Sequence, residues 1–450
     1  MLNYNNMPLY SVLKNIPEFT RLHTPGHKGN AKIFNDFEKM DFTELSITDN
    51  LYNPVSLIEE AEKKATLFYK TKQTVFSSGG ATLCIQTALS FFNKKKILMD
   101  RNSHLSAINA CALLDISPVF VYNKFNVDFG VPLPICSEEI EKILNENKDI
   151  SAVYLTNPNY YGLYSNIKRI KDICINFNVP LIVDNAHGSH LFVTDKENAP
   201  HNNADIIIDS AHKTLPVLTG GALLHFNLDI PKDKIKKHMS LFGSTSPSFP
   251  ILASLDYARA WLENEGENEF SKTINCLFDL KKGLTGIEVE ILNNKYKDDT
   301  VVFCDDTRLT INCCNLGYTG FDLQNKMEQY SIYPEMADNN NVVMLFSPFN
   351  SDNDYKKILD FFTKLEKRNM ISKRILPSYP KTQRKISLKE AFYAENKKVL
   401  LTKAVGQVSA ENIVPYPPGV PIVICGELIT EEIIELLENI NYKDEISVIK

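Results

Sequence analysis

From about residue 54 onward the apolar positions alternate between two spacings. VSLIEEAEKKATLFYK (55–70), TLCIQTALSFF (82–92) and NIKRIKDICINFN (166–178) repeat apolar residues at three- and four-residue intervals, the period of a helix with one buried stripe. Between them lie short β-rich runs: TVFSS (74–78), KKILMD (95–100), SAVYLTNP (151–158), VPLIVDNAH (179–187) and ADIIIDSAHK (204–213). LIVD and DIIID show no polar alternation, so both faces of these strands are expected to be covered. That pattern predicts a mostly parallel sheet with covering helices, an α/β fold.

Beyond residue 270 the pattern changes. The stretch to about 370 mixes helix-like segments with β-like TRLTINCCN (307–315) and NNVVMLFSP (340–348), as in a smaller α+β domain. A basic, proline-containing connection, KRNMISKRILPSYPKTQRK (367–385), then leads to a C-terminal α/β segment. That segment holds helix-like SLKEAFYAENKKVL (387–400), proline-rich IVPYPPGVP (413–421), strand-like IVICGE (422–427) and helix-like ITEEIIELLENI (429–440). The PYPPG stretch is expected to be stiff and extended.

Composition narrows the function classes. The 450 residues carry 49 Lys and Arg against 55 Asp and Glu, a net charge of -6, and lack the basic surplus that a nucleic acid partner demands. Nine cysteines are scattered without CxxC spacing, so neither a disulfide framework nor a structural zinc site is expected, and a reducing cytoplasm is the expected location. No apolar run approaches the roughly 18 residues of a membrane helix. All nine histidines precede residue 240, which concentrates the candidate chemistry in the first half.

Five polar clusters follow expected buried strands, the place where open α/β sheets put their ligands: FSSGGAT (76–82), DRNSHLS (100–106), TNPNYYG (156–162), VDNAHGSH (183–190) and DSAHKTL (209–215). In the first, two glycines precede a helix start whose N–H groups, with the Thr82 hydroxyl, suit an anion. Asp184 ends an apolar strand and needs a positive partner. Lys213 follows another strand, where burial and nearby cations would turn its amine into a carbonyl-trapping nucleophile. Each feature alone has a plainer reading: a tight turn, a backbone-capping carboxylate, a solvated surface lysine, and, for His104, His187 and His212, ordinary core or surface histidines. In combination they describe one ligand. Pyridoxal phosphate has a phosphate, a flat ring, a pyridinium nitrogen and an aldehyde.

At this level the chain resembles the fold-type I pyridoxal-phosphate enzymes that decarboxylate ornithine, lysine and arginine. The resemblance runs through RLHTPGHKGN (21–30), DFTEL (41–45), GGATLCIQTAL (79–89), DRNSH (100–104), TNPNYYGLYSNI (156–167), VDNAHGSH, SAHKTLPVLTGG (210–221), STSPSFPILASLDYAR (244–259) and SAENIVPYPPGVPIVICGE (409–427). It implies that Lys213 is the Schiff-base lysine, Asp184 the partner of the ring nitrogen, His104 the ring-stacking histidine and His187 a neighbour of the ring oxygen. It also implies that Gly80, Ala81 and Thr82 form the phosphate loop, with Ser210 and His212 as further phosphate contacts. His212 or Lys213 would return a proton to the α-carbon. The site of this fold lies at a dimer interface, so a homodimer or larger homo-oligomer is expected, with Ser244, Thr245 and Ser246 reaching the partner's phosphate.

The implied division is an N-terminal arm (1–50), a large cofactor-binding domain (51–265), a small α+β domain (266–370) and a C-terminal domain (371–450). Compared with longer relatives, the chain is expected to lack an N-terminal regulatory domain. The implied activity is decarboxylation of a basic amino acid. Other pyridoxal-phosphate chemistry on the same scaffold, or a homologue with weakened turnover, are the alternatives. The chain departs from the family pattern at Asn185, usually Glu; Gly79, usually Asn; Ala81, usually Ser; Leu105, commonly Lys; and LTGG (218–221), usually LTQ. If Asn185 removes an acid that would meet the distal cation of a basic substrate, Glu44 or Glu335 has to serve.

Overall fold

A computed structural model describes residues 6–15, 39–293, 300, 301, 303–370, 381–414, 419–440 and 442–450. The HTPGHK motif at 23–28 lies outside the described residues, as do Pro415 to Pro418 of the proline-rich motif. The fold is α/β with a mostly parallel central sheet, as the strand pattern predicts. The chain separates into two compact units, one built from residues 1–91 and 180–271 and the other from 92–179 and 272–450.

In the first unit the strands run in the order Gln73–Ser77, Ala222–Phe226, Ile206–Asp209, Leu181–Asp184. Leu181–Asp184 and Ile206–Asp209 pair in parallel and are buried at every position, which is why their sequences carry no polar alternation. Ala222–Phe226, which the hydrophobic pattern did not single out, runs antiparallel to both of its neighbours. Helix Leu57–Tyr69 buries Ile58, Ala61, Ala65 and Tyr69 on one stripe and ends on Lys70 in the left-handed region. Its stripe packs with Phe76, Phe249, Leu252, Trp261 and Phe270 into one apolar core. Helix Pro8–Asn15 is anchored onto helix Phe249–Trp261 by the buried Asp256 carboxylate, which accepts from the N–H groups of Leu9 and Tyr10 at 3.1 and 3.3 Å. These are donors that the first turn of a helix leaves unsatisfied.

In the second unit, Lys96–Asp100 lies between Ser117–Val121 and Ile150–Thr156, parallel to both. A separate antiparallel sheet orders Arg308–Asn312, Asn341–Leu345 and Met336–Ala337, with Leu309, Ile311, Val342 and Met344 packed against helices Gly320–Gln329 and Asp352–Lys364. The C-terminal segment builds its own core from Ile413, Val423, Ile433, Leu437 and Val448, around the ribbon Asn396–Leu400 with Glu445–Ile449. All nine cysteines are free thiols. Among the described residues no helix is long and apolar enough to cross a membrane.

Candidate active site

Strand Gln73–Ser77 turns through Ser78 and Gly79 into helix Gly80–Ser90. The turn needs Gly80, whose φ of +69° lies in the left-handed region, and it is braced by the Gly80 N–H donating to the Gly220 carbonyl at 2.8 Å. Ser77 Oγ adds a second brace, accepting from Gly79 N at 3.1 Å and donating to the Gly80 carbonyl at 3.2 Å. No side chain caps this helix, and a Cβ at Gly80 would meet nothing within 4 Å, so the first turn faces open space. Two departures have a local reason here: a Cβ at Gly79 would come within 2.8 Å of Leu83 Cδ2, so a larger residue requires that leucine to shift, and Gly220, where LTQ has its glutamine, holds φ +94°, in the left-handed region that favours glycine.

The acid and the amine emerge at the C-terminal ends of two adjacent parallel strands. Asp184, 2% exposed, pairs in register with Ile208, and its Oδ1 accepts the N–H of Ala186 at 3.1 Å. The chain then turns so that the Nε2 of buried His187 meets the Lys213 amine at 3.0 Å. Lys213 ends the short 3₁₀ turn Ala211–Lys213, with its N–H on the Ser210 carbonyl at 2.9 Å, and His212 N–H is fixed on the Gly221 carbonyl at 3.2 Å. Ser210 is buried and His212 half-buried. Burial first, and then the Lys213 charge, hold the His212 imidazole below its ordinary pKa, so its neutral form is favoured near neutral pH. Gly80, Ala81, Thr82, Asp184, His187, Ser210, His212 and Lys213 thus all belong to the first unit.

His104 belongs to the second unit. It caps helix Leu105–Leu114, with Nδ1 accepting from Ser106 N at 3.2 Å and lying 2.7 Å from Ser106 Oγ, which fixes the ring's orientation. Gly419 of the proline-rich motif lies against that ring: a Cβ there would stand 3.6 Å from His104 Cδ2 and Nε2, and the Gly419 carbonyl accepts the Leu105 N–H at 3.3 Å. The motif is held by Arg101, fully buried, which donates to the carbonyls of Pro421 and Ile422 at 2.6 and 2.7 Å and pairs with Glu427 at 3.4 Å. Ser244, Thr245 and Ser246 are exposed on the first unit. Glu44 accepts from Asn50 Nδ2 at 2.6 Å and Leu51 N–H at 3.1 Å, closing its own loop, and Glu335 is exposed on the second unit.

Sequence reasoning gave no role to a buried polar cluster behind the strand ends. Asp209 Oδ2 lies 3.0 Å from His201 Nε2 and 3.3 Å from His225 Nε2, and Asp209 Oδ1 accepts from Asn185 Nδ2 at 2.5 Å. The available signal was a charged or polar residue inside otherwise apolar strands, Asp209 in IIID and His225 in ALLHF. Arg101 was likewise read only as part of DRNSH.

The Orn/Lys/Arg decarboxylase major-domain model matches residues 7–354, and the C-terminal-domain model of the same family matches 364–446. The arginine decarboxylase of Bacillus subtilis (strain 168) is 29% identical over 460 residues, covering 96% of this chain and 93% of that protein. The arginine decarboxylase of Halalkalibacterium halodurans is 30% identical over 434 residues, covering 91% of this chain and 88% of the relative. Among solved structures, the Francisella novicida lysine decarboxylase LdcF superposes with a TM-score of 0.86 at 21% identity, covering all of this chain and 82% of that one, and so shares its fold. The chain therefore belongs to the Orn/Lys/Arg decarboxylase family and is an amino-acid decarboxylase.

Proposed function

We propose that this chain decarboxylates a basic amino acid, arginine first among the candidates, with pyridoxal phosphate held in the first unit. The observation that carries the reading is the meeting of Lys213 with His187 at the end of the strand pair that carries Asp184. The donor set suits the cofactor. An uncapped helix start beside open space at Gly80 suits a phosphate, a buried strand-end carboxylate at Asp184 suits a protonated ring nitrogen, and the Lys213 amine suits an aldehyde. Bound there, pyridoxal phosphate supplies an electron sink for the pair left behind when an α-carboxylate departs as CO2.

The residues themselves have separate tasks. Asp184 keeps a proton on the ring nitrogen, because a carboxylate at a buried strand end gains most from a cationic neighbour. His187 Nε2 orients the Lys213 amine by a hydrogen bond. His212, favoured neutral, and Lys213 are the two groups able to carry the proton that replaces the lost carboxylate. Gly80, Ala81, Thr82 and Ser210 would hold the phosphate, and His104, its ring fixed by Ser106 and Gly419, is the histidine that the resemblance assigns to the cofactor ring. The names of the Bacillus subtilis and Halalkalibacterium halodurans relatives support arginine as substrate. Nine free thiols suit a reducing cytoplasm, and a homodimer is the smallest assembly proposed, checked by sedimentation.

Purified protein with added pyridoxal phosphate is expected to release CO2 and the matching amine from arginine, lysine or ornithine. An absorbance band fixed by borohydride should be present in the wild type and absent in Lys213→Ala. Failure on all three amino acids despite a normal band would overturn the substrate class, and no band would overturn the cofactor assignment.

A further inference from the structure

The buried cluster behind the strand ends joins the acid's turn to the amine's turn. Asp184 and Lys213 sit on separate chain segments, and each segment leaves the sheet beside a member of one side-chain pair. Asn185 follows Asp184, and Asp209 precedes the Ser210–Lys213 turn. The backbone ladder ends here with Asn185 N–H on the Ile208 carbonyl at 2.8 Å, and the Asn185 Nδ2 to Asp209 Oδ1 bond extends the connection by one side-chain rung. Both residues are fully buried. We propose that Asn185 and Asp209 are a positioning pair that sets the separation of the Asp184 carboxylate and the Lys213 amine.

The rest of the cluster orients the pair. The second oxygen of Asp209 faces His201 Nε2 and His225 Nε2, and His225 is itself held by Thr74 Oγ1 at 2.9 Å from Nδ1. His201 is stacked on Tyr69, ring centroids 5.1 Å apart and planes 17° from parallel, which holds the plane of the imidazole beside Asp209. Asp209 is therefore a carboxylate with donors on both oxygens. This explains Asn185 in place of the family's usual Glu: a second carboxylate beside Asp209 would repel it at a fully buried position, whereas an amide donates to it. A buried bond of this kind fixes geometry because neither partner has water to turn to.

The inference rests on the reading of Asp184 and Lys213 as the reactive pair, and its test separates the two. The variants are Asn185→Asp, Asp209→Asn and the exchange Asn185→Asp with Asp209→Asn. The exchange keeps every hydrogen bond, since Asn at 209 donates to Asp at 185 and accepts from both histidines. Three measurements are made on each: pyridoxal phosphate affinity, the rate of Lys213 methylation by formaldehyde and cyanoborohydride mapped by mass spectrometry, and bound zinc. The single variants are expected to weaken cofactor affinity by about tenfold or more, as loss of a supporting hydrogen bond does at other preorganised sites. They should also change the Lys213 labelling rate by several-fold, and the exchange should restore both values to near wild type, the mark of a coupled pair.

The proposal is overturned if the single variants match the wild type in affinity and labelling, or if the exchange recovers neither. One zinc per chain, lost in Asp209→Asn, would also overturn it by making His201, Asp209 and His225 a metal site. A wild type that takes up no pyridoxal phosphate would sink the cofactor assignment, while the labelling rates would still decide the pair.

Discussion

The Lys213 amine lies 3.0 Å from Nε2 of His187, although the two residues leave the sheet on different strands. A hydrogen bond at this distance selects one rotamer of a long, flexible side chain and so directs the amine before anything binds. Replacing His187 with Phe keeps the ring's bulk and removes the bond. Catalytic efficiency on the preferred amino acid should fall on the order of tenfold or more, while the borohydride-fixed band persists. Steady-state kinetics beside the absorption spectrum checks both halves of the expectation.

Asp184 is a buried carboxylate, and the role proposed for it is electrostatic. Asp184→Asn preserves shape and the bond to Ala186, yet cannot keep a proton on the ring nitrogen. The protein should still take up pyridoxal phosphate, and kcat should drop by on the order of a hundredfold or more, as when a single stabilising group is removed from a preorganised site. Retention of full turnover by this variant would remove Asp184 from the chemistry.

Gly80 holds its turn at φ +69° with open space where a side chain would go. Gly80→Ala therefore costs backbone strain without a clash, about 1–2 kcal/mol. Urea unfolding of the cofactor-free protein measures that loss. Phosphate inhibition or pyridoxal phosphate affinity should weaken in parallel, because the strained turn no longer presents the helix N–H groups in the same direction.

Arg101 binds two carbonyls of the segment after Gly419 and faces buried Glu427. Arg101→Met removes the guanidinium from buried Glu427, which is left with the Ile424 N–H at 2.7 Å and the charge of Arg384, a change that costs up to about 3–5 kcal/mol. The expected result is a lower unfolding midpoint, with early proteolytic cleavage in the segment beyond residue 419. Adding Glu427→Gln to Arg101→Met should return part of the stability.

Three histidines set a pH dependence, the first of them His225, fully buried and held below its ordinary value chiefly by that burial. His212 is held below its ordinary value by burial and by Lys213; His238, stacked on Phe91 with centroids 4.0 Å apart, is held below it by burial and then by Lys234 and Lys237. The unfolded chain then binds more protons than the folded one just below the ordinary histidine value of about 6.5. Stability from these groups is fully present above that value and is lost as pH falls through the lower folded values. Thermal unfolding of the cofactor-free protein between pH 8 and pH 5 should show this decline, and His238→Gln should flatten it.

The placement of candidate residues at strand ends was legible in the chain because it depends on short-range rules. Apolar runs without alternation, such as LIVD and IIID, mark strands covered on both faces, and polar clusters at their ends mark where side chains leave the core. That placement, together with the family resemblance, makes Asp184, His187, Ser210, His212 and Lys213 candidates, and the same strands carry the α/β fold that the structure shows. Strand Ala222–Phe226 escaped notice because its antiparallel direction is a matter of pairing, to which its own five residues contribute no distinguishing pattern.

The amino-acid sequence by itself determined most of the segments that become buried strands, which residues end them, and the family that those residues belong to, since periodicity and motif are properties of neighbouring positions. Only the tertiary structure decided which ends meet. That Asn185 faces Asp209, that His201 and His225 close on the same carboxylate, and that Gly419 lies against His104 across more than 300 residues of chain follow from long-range packing of buried polar groups, each of which must find its partner where water cannot reach.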